Sequence, residues 1–206
     1  MPELLDYFEG DKILKHYGIS SIDSQYVSSA EEASAFSKGG PIALKLISNK
    51  AIHKSKAGLV KLNLSGNAIS AAYSELAQKG KTLSPYKIIA QKMAKPGIEI
   101  IIGGKTDPQF GKLILIGLGG IYVEIFKDFA LRVCPITKND ALDMIEQLKS
   151  KKVVTFNGKD TNLLINVLLK VSKLLTSNQK IIELDLNPLI IRPGSYEAVD
   201  IRIFEY

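Results

Sequence analysis

The stretch from Ile182 to Ile190 constrains this chain most. Ile182, Leu184, Leu186 and Ile190 are apolar, while Glu183, Asp185 and Asn187 are polar. That alternation marks a strand with one face in a core and the other left to polar chemistry. Arg192-Pro193-Gly194-Ser195 then reads as a tight turn with Pro and Gly at its centre. Val199-Asp200-Ile201-Arg202 returns as the partner strand. If Arg192 opposes Ser195, Asn187 falls directly across from Asp200. Opposed side chains stand about 5 Å apart at Cβ, so an amide oxygen and a carboxylate there can share one hard cation. Mg²⁺ takes few protein oxygens when phosphates complete its shell. The competing reading is an ordinary solvated strand face, and a one-residue slip would put the two groups on opposite faces. The place of Asp200 within an apolar strand favours the metal.

The chain has 206 residues, enough for one large domain or two smaller lobes that share a cleft. At 46% hydrophobic and 23% charged it is an ordinary globular composition. No apolar run approaches the roughly 20 residues of a membrane helix, so no membrane association is expected. The N-terminus is acidic and amphipathic, unlike a secretory signal. The lone Cys134 fits a reducing, cytoplasmic setting and an inert core role. One Cys and two His leave too few ligands for a zinc site. The net charge of +6 could suit nucleic acid, but the lysines are scattered and no basic-aromatic stripe offers a stacking platform. A phosphate-bearing small molecule or an acidic partner subunit explains the sign equally well.

Helical spacing covers residues 3–17 and stops at Gly18. Ser28-Ser29 caps a second helix that Gly39-Gly40-Pro41 breaks. Strands are expected at 42–47 and 59–64, with a helix at 67–79. Beyond Pro85 the pattern becomes strand-rich, with strands at 86–93, 98–102 and 112–117 and two more up to Val133. Helices at 137–149 and 160–176 precede the closing hairpin. This is an α/β (α+β) chain, with lobes expected at 1–90 and 91–206. Ligands commonly bind between such lobes.

Several residues within this frame carry chemistry. Lys45 interrupts an apolar strand, where it either meets an anion or snorkels to water. His53-Lys54-Ser55-Lys56-Ala57-Gly58 joins two strands and offers an imidazole, ammonium groups, a hydroxyl and a permissive Gly. Such a loop can wrap phosphate oxygens, although on composition alone a solvated basic loop is the simpler reading. It is not a Walker loop. Gly117-Leu118-Gly119-Gly120 lacks the dinucleotide fingerprint. Arg132, between Leu131 and Val133, points either into a cleft or to an exposed edge.

Taken together, these segments resemble the ATP-grasp β subunit of ADP-forming acyl-CoA synthetases (acetate–CoA ligases), with succinyl-CoA synthetase β subunits as broader relatives. The resemblance runs from Lys12-Ile-Leu-Lys-His-Tyr-Gly18 to Val199-Asp-Ile-Arg202. It is carried by His53-Lys-Ser, Gly97-Ile-Glu-Ile-Ile-Ile-Gly103, Asp107-Pro-Gln-Phe-Gly111, Gly117-Leu-Gly-Gly-Ile-Tyr-Val-Glu124 and Leu184-Asp-Leu-Asn-Pro-Leu189. It implies an ATP-grasp fold with the nucleotide cleft between two lobes, and the reaction acyl-CoA + ADP + phosphate ⇌ acid + CoA + ATP. A separate CoA-binding α subunit is implied as partner, in a hetero-oligomer, with phosphohistidine carrying the phosphoryl group. The resemblance makes His53 a phosphoryl acceptor and Asp185 the acid facing the incoming phosphohistidine. It makes Asn187 and Asp200 the Mg²⁺ ligands. It implies ATP or ADP contacts from Lys45, Lys54, Ser55, Gly58, Gln91, Met93, Glu99 and Arg132. The chain departs from the family pattern at Lys56 and Leu59, where an acid and a glycine are usual, and at Lys92, where an acid is usual. Those departures motivate an alternative, a nucleotide-binding or structural subunit with impaired catalysis. A free-standing ligase joining a carboxylate to an amine is disfavoured by the short chain.

Overall fold

A computed structural model describes residues 2–48, 50, 58–119 and 128–206. The chain divides into two compact units, Ile22–Lys95 and a second made of Met1–Ser21 with Pro96–Tyr206. The division falls at Lys95/Pro96 rather than at the expected 90/91, and the first residues group with the C-terminal part of the chain. Strand β1 (Glu3–Leu4) pairs with β11 (Ile201–Glu205), and helix α1 (Tyr7–His16) packs on the same strand. The reason is close packing. A Cβ on Gly10 of α1 would lie 3.2 Å from the Ile201 side chain, so helix and strand nearly touch. Asp6 and Glu9 close a capping box that starts α1.

The unit Ile22–Lys95 is built on an antiparallel sheet ordered β2-β5-β3-β4. Its strands are β2 (Ser24–Val27), β3 (Ile42–Ile47), β4 (Val60–Leu64) and β5 (Lys87–Lys92). Helices α2 (Ala30–Ser37) and α3 (Asn67–Thr82) pack on one face. Ile42, Leu44 and Leu46 of β3 join Ile88 and Ala90 of β5, Ile69 and Leu76 of α3 and the preceding Leu59 in one core. Alternation therefore turns Ala43, Lys45, Ile89 and Gln91 onto the face away from the helices. Strand β2 is not apparent in the sequence because it is short and only partly buried; its pairing with β5 defines it.

The other unit carries an antiparallel sheet ordered β1-β11-β9-β6-β7-β8, with β10 also on β9. Here β6 is Ile98–Asp107, β7 Gly111–Leu118, β8 Phe129–Val133, β9 Ile181–Arg192 and β10 Ser195–Ala198. The expected strand between β7 and β8 lies outside the described residues. Asp107-Pro-Gln-Phe-Gly111 is the β6–β7 turn: the Asp107 carboxylate accepts from the Gln109 and Phe110 N–H groups at 2.8 and 3.0 Å, an Asx turn. Helices α4 (Lys138–Gln147), α5 (Lys151–Val154) and α6 (Thr161–Ser177) follow β8 and pack on one sheet face. Leu164, Leu168, Val171 and Leu175 supply the apolar stripe of α6. A Cβ on Gly104 would lie 2.6 Å from Leu175, so the missing side chain is what lets α6 seat on β6. Among the described residues, no helix is long and apolar enough to cross a membrane.

Candidate functional site

The closing ribbon keeps the register its turn chemistry implies. Ser195 opposes Arg192 and Ala198 opposes Leu189, and across β11 Ile201 opposes Leu186 and Arg202 opposes Asp185. Gly194 takes a left-handed φ of 73° in the turn, a conformation glycine adopts without steric cost. Asn187 and Asp200 therefore face each other, and the Asn187 N–H donates to the Asp200 carbonyl at 3.3 Å. On its other side β9 bulges at this point. Leu189 opposes Ile100 but Leu186 opposes Ile102, so Asn187 and Pro188 share one position of β6. A bulge of this kind re-aims side chains locally.

Asp185 lies on the sheet face opposite the helices, because Leu184 and Leu186 on either side of it are buried. Arg202 of β11 opposes it on one side and Gly103 of β6 on the other. A Cβ at Gly103 would meet nothing nearer than 3.8 Å, so there is room beside the carboxylate. Asp185 Oδ1 is buried without a hydrogen-bond partner among the described residues. Burial, with the like charges of Asp200 and Glu183, pushes the carboxyl up to about 6 against the pull of Arg202. Asp200 is 9% exposed, and its Oδ2 receives Arg202 Nε at 3.3 Å and Nη2 at 3.2 Å. Among the described residues no group of three or more His, Cys, Asp or Glu forms a self-sufficient metal cage. The donors here are a carboxylate and an amide, both hard oxygens, which fits a cation that takes the rest of its shell from phosphate.

The remaining sequence-selected residues divide between the units. In Ile22–Lys95, Lys45 is 5% and Gln91 is 1% exposed, and both lie on the sheet face away from α2 and α3. Lys45 pairs with Ile89 and Gln91 with Ala43, which makes them diagonal neighbours. Gln91 Nε2 donates to the Ser24 hydroxyl at 3.0 Å. Met93 follows β5 and its N–H donates to the Pro41 carbonyl at 3.4 Å. Gly58 has a φ of 64°, and Lys79 Nζ donates to its carbonyl at 3.2 Å. His53, Lys54, Ser55 and Lys56 lie outside the described residues, as does Glu124.

Glu99 is exposed on β6, two positions from Ile101 and four from Gly103, and so shares the face of Asp185. Its carbonyl accepts the Gly119 N–H at 2.7 Å, and a Cβ on Gly119 would lie 2.8 Å from the Glu99 backbone. Arg132 is a correction. It opposes the buried Ile114, and Ile114 opposes Gly104, so Arg132 lies on the helix side of the sheet, opposite the face of Asp185. Its Nη1 donates to the Leu131 carbonyl at 2.8 Å and to Gln147 of α4 at 3.3 Å. The apolar neighbours Leu131 and Val133 take the other face.

Two family departures also acquire structural roles. Lys92 Nζ donates to the carbonyls of Phe36 and Ser37 at 2.6 and 3.0 Å and lies 4.7 Å from the Phe36 ring centroid. It thus closes the C-terminal end of α2, where a cation meets both the orphan carbonyls and the dipole. Leu59 is 1% exposed in the core of its unit.

The fold and the site together define an ATP-grasp domain, and the family model for that domain matches residues 2–204. The chain is 37% identical over 206 residues to the β subunit of ADP-forming acetate–CoA ligase I from Pyrococcus furiosus, covering 95% of this chain and 89% of that one. It is 36% identical over 205 residues to ADP-forming acetate–CoA ligase I from Archaeoglobus fulgidus, but spans only 30% of that longer protein. A structure of the dinucleotide-forming acetyl-coenzyme A synthetase 1 of Ca. Korarchaeum cryptofilum is similar at a TM-score of 0.83 and 35% identity, over 98% of this chain and 93% of that one. That protein holds coenzyme A and Mg-AMPPCP, with its phosphohistidine segment pointing towards the nucleotide-binding site. The chain therefore belongs to the ATP-grasp family, on the branch of the ADP-forming acyl-CoA ligase β subunits.

Proposed function

We propose that this chain is the nucleotide-binding β subunit of an ADP-forming acyl-CoA ligase, working with a CoA-binding α subunit. The observation that carries the reading is the opposition of Asn187 and Asp200 beside the partly buried Asp185. The net reaction is acyl-CoA + ADP + phosphate ⇌ acid + CoA + ATP. On the partner, phosphate replaces CoA on the acyl group. A histidine nitrogen then takes the phosphoryl group and the acid leaves as carboxylate. Transfer to ADP finally forms ATP and returns the free imidazole.

In this scheme Asn187 and Asp200 would hold Mg²⁺, which when bound neutralises phosphate charge and fixes the nucleotide. Asp185 lies on the same strand two residues away, with space beside it at Gly103. A carboxylate poised near neutrality can accept or release the proton of an approaching imidazole, or orient its ring by hydrogen bonding. Lys45 would supply an ammonium to phosphate oxygens, and Gln91 and Met93 would bound the base. Glu99, Gly58, Lys54 and Ser55 would contribute polar contacts, and His53 would act as phosphoryl acceptor on this chain. Arg132 is not carried into the site, because it reaches Gln147 instead. The tie between Lys92 and α2 supports the catalytic reading over the impaired one, since that departure has a structural use.

The test is reconstitution with the α partner. Acyl-CoA-dependent ATP formation is expected, with ³²P from phosphate appearing on His53. ATP formation that persists without the β chain, or equal labelling of His53→Ala, would overturn the assignment.

A further inference from the structure

On the reading that Asn187 and Asp200 are the metal pair, we infer that Arg202 is a positioning residue that fixes the plane of the Asp200 carboxylate for the cation. Two guanidinium nitrogens reach the same oxygen: Nε lies 3.3 Å and Nη2 3.2 Å from Oδ2. A planar fork gripping one oxygen from two nitrogens restrains carboxylate rotation in a way a point charge does not. The side chains are well enclosed, at 24% exposure for Arg202 and 12% for Asp200, so water does little to loosen the pair. Arg202 is itself held on the strand directly opposite Asp185. Groups facing it include Asp200 on its own segment and Asp185 on β9. Glu183 lies two positions along β9, opposite Lys105 of β6. The guanidinium thus lies between carboxylates and holds the one that faces Asn187.

Orienting contacts of this kind to a metal ligand commonly govern metal affinity by about 10–100-fold. A structural ion pair without that role would alter folding but not the metal-dependent part of nucleotide binding. Calorimetry on the full chain separates the two, with ADP titrated in Mg²⁺ and again in EDTA. The variants are Asp200→Asn, Arg202→Gln, Arg202→Lys and the double Asp200→Asn/Arg202→Gln. Arg202→Gln is expected to weaken binding in Mg²⁺ by about tenfold and leave binding in EDTA unchanged. Arg202→Lys keeps the charge without the fork and is expected to lose roughly threefold. The double variant is expected to bind Mg-ADP no more weakly than Asp200→Asn alone, because the effect of Arg202 on the cation runs through that carboxylate. Wild-type affinity in Arg202→Gln overturns the inference, as do equal losses in Mg²⁺ and EDTA or multiplying losses in the double variant. If Arg202→Gln does not fold, Arg202→Lys decides alone, and unchanged Mg²⁺-dependent affinity overturns the inference. If Asp200→Asn itself leaves the Mg²⁺ dependence intact, the metal reading fails first and this inference falls with it.

Discussion

Replacing Asp185 by Asn removes a charge that the fold disfavours. Burial raises its carboxyl from 3.8 to about 6. At about 1.4 kcal/mol per unit, that separation corresponds to roughly 3 kcal/mol at most. Partial exposure and screening reduce this to about 1–3 kcal/mol. The native state holds the proton more tightly than the unfolded chain, so the carboxyl's effect on stability worsens as pH rises from about 4 through about 6. Asp185→Asn is therefore expected to stabilise the chain at pH 8 without nucleotide or Mg²⁺. The gain should shrink towards zero as pH falls to 4. For a chain of this size about 1 kcal/mol moves the midpoint by roughly 2–4 °C. Thermal unfolding of wild type and variant from pH 8 to pH 4 measures it. A shift of equal size at every pH, or a lower Tm for the variant at pH 8, would refute the argument.

Other consequences follow from particular contacts. Lys92→Glu places an acid against the Phe36 and Ser37 carbonyls and should cost about 1–3 kcal/mol, measured by chemical denaturation. An unchanged midpoint would remove the structural role assigned to Lys92. Gly104→Ala puts a methyl 2.6 Å from Leu175 and should cost about 1–3 kcal/mol as α6 is pushed off the sheet; unaltered stability would show that the helix yields freely.

Much of this architecture was legible because local signals agreed. Alternation through Leu184 and Leu186 and the Pro-Gly turn after Arg192 fix the ribbon's register, and the structure keeps it as far as Phe204. Past the β9 bulge the buried phase shifts, so Leu189 and Ile191 fill the core and Ile190 turns out of it. The Ser29 cap and its following acids mark the start of α2 in the same way. What stayed hidden depends on partners distant in sequence. Lys92 finds its acceptors at Phe36 and Ser37, and nothing beside it signals that. Arg132 interrupts apolar neighbours, a pattern that fits equally a residue aimed at a ligand and one at an exposed edge. Yet Leu131 and Val133 are 45% and 50% exposed, and it is the arginine that turns towards the helices. A one-residue change of phase separates those readings, and only pairing with Ile114 decides between them. The early helix α1 gave no local sign of joining the distant C-terminal sheet. Gly10, which allows it to approach Ile201, could have been read as a contact glycine. Arg202 and Gly103 were likewise visible as motif residues, but their place on either side of Asp185 follows only from three-strand register.

On the proposed function, the Asn187 amide on β9 and the Asp200 carboxylate beside β11 hold one magnesium for a nucleotide. Calorimetric titration of ADP into wild type and Asp200→Ala, with Mg²⁺ present and then removed, addresses it most directly. Wild type should lose affinity when Mg²⁺ is chelated, while Asp200→Ala should bind equally weakly under both conditions. Mg²⁺-dependent affinity that survives in Asp200→Ala would exclude this carboxylate as a magnesium ligand.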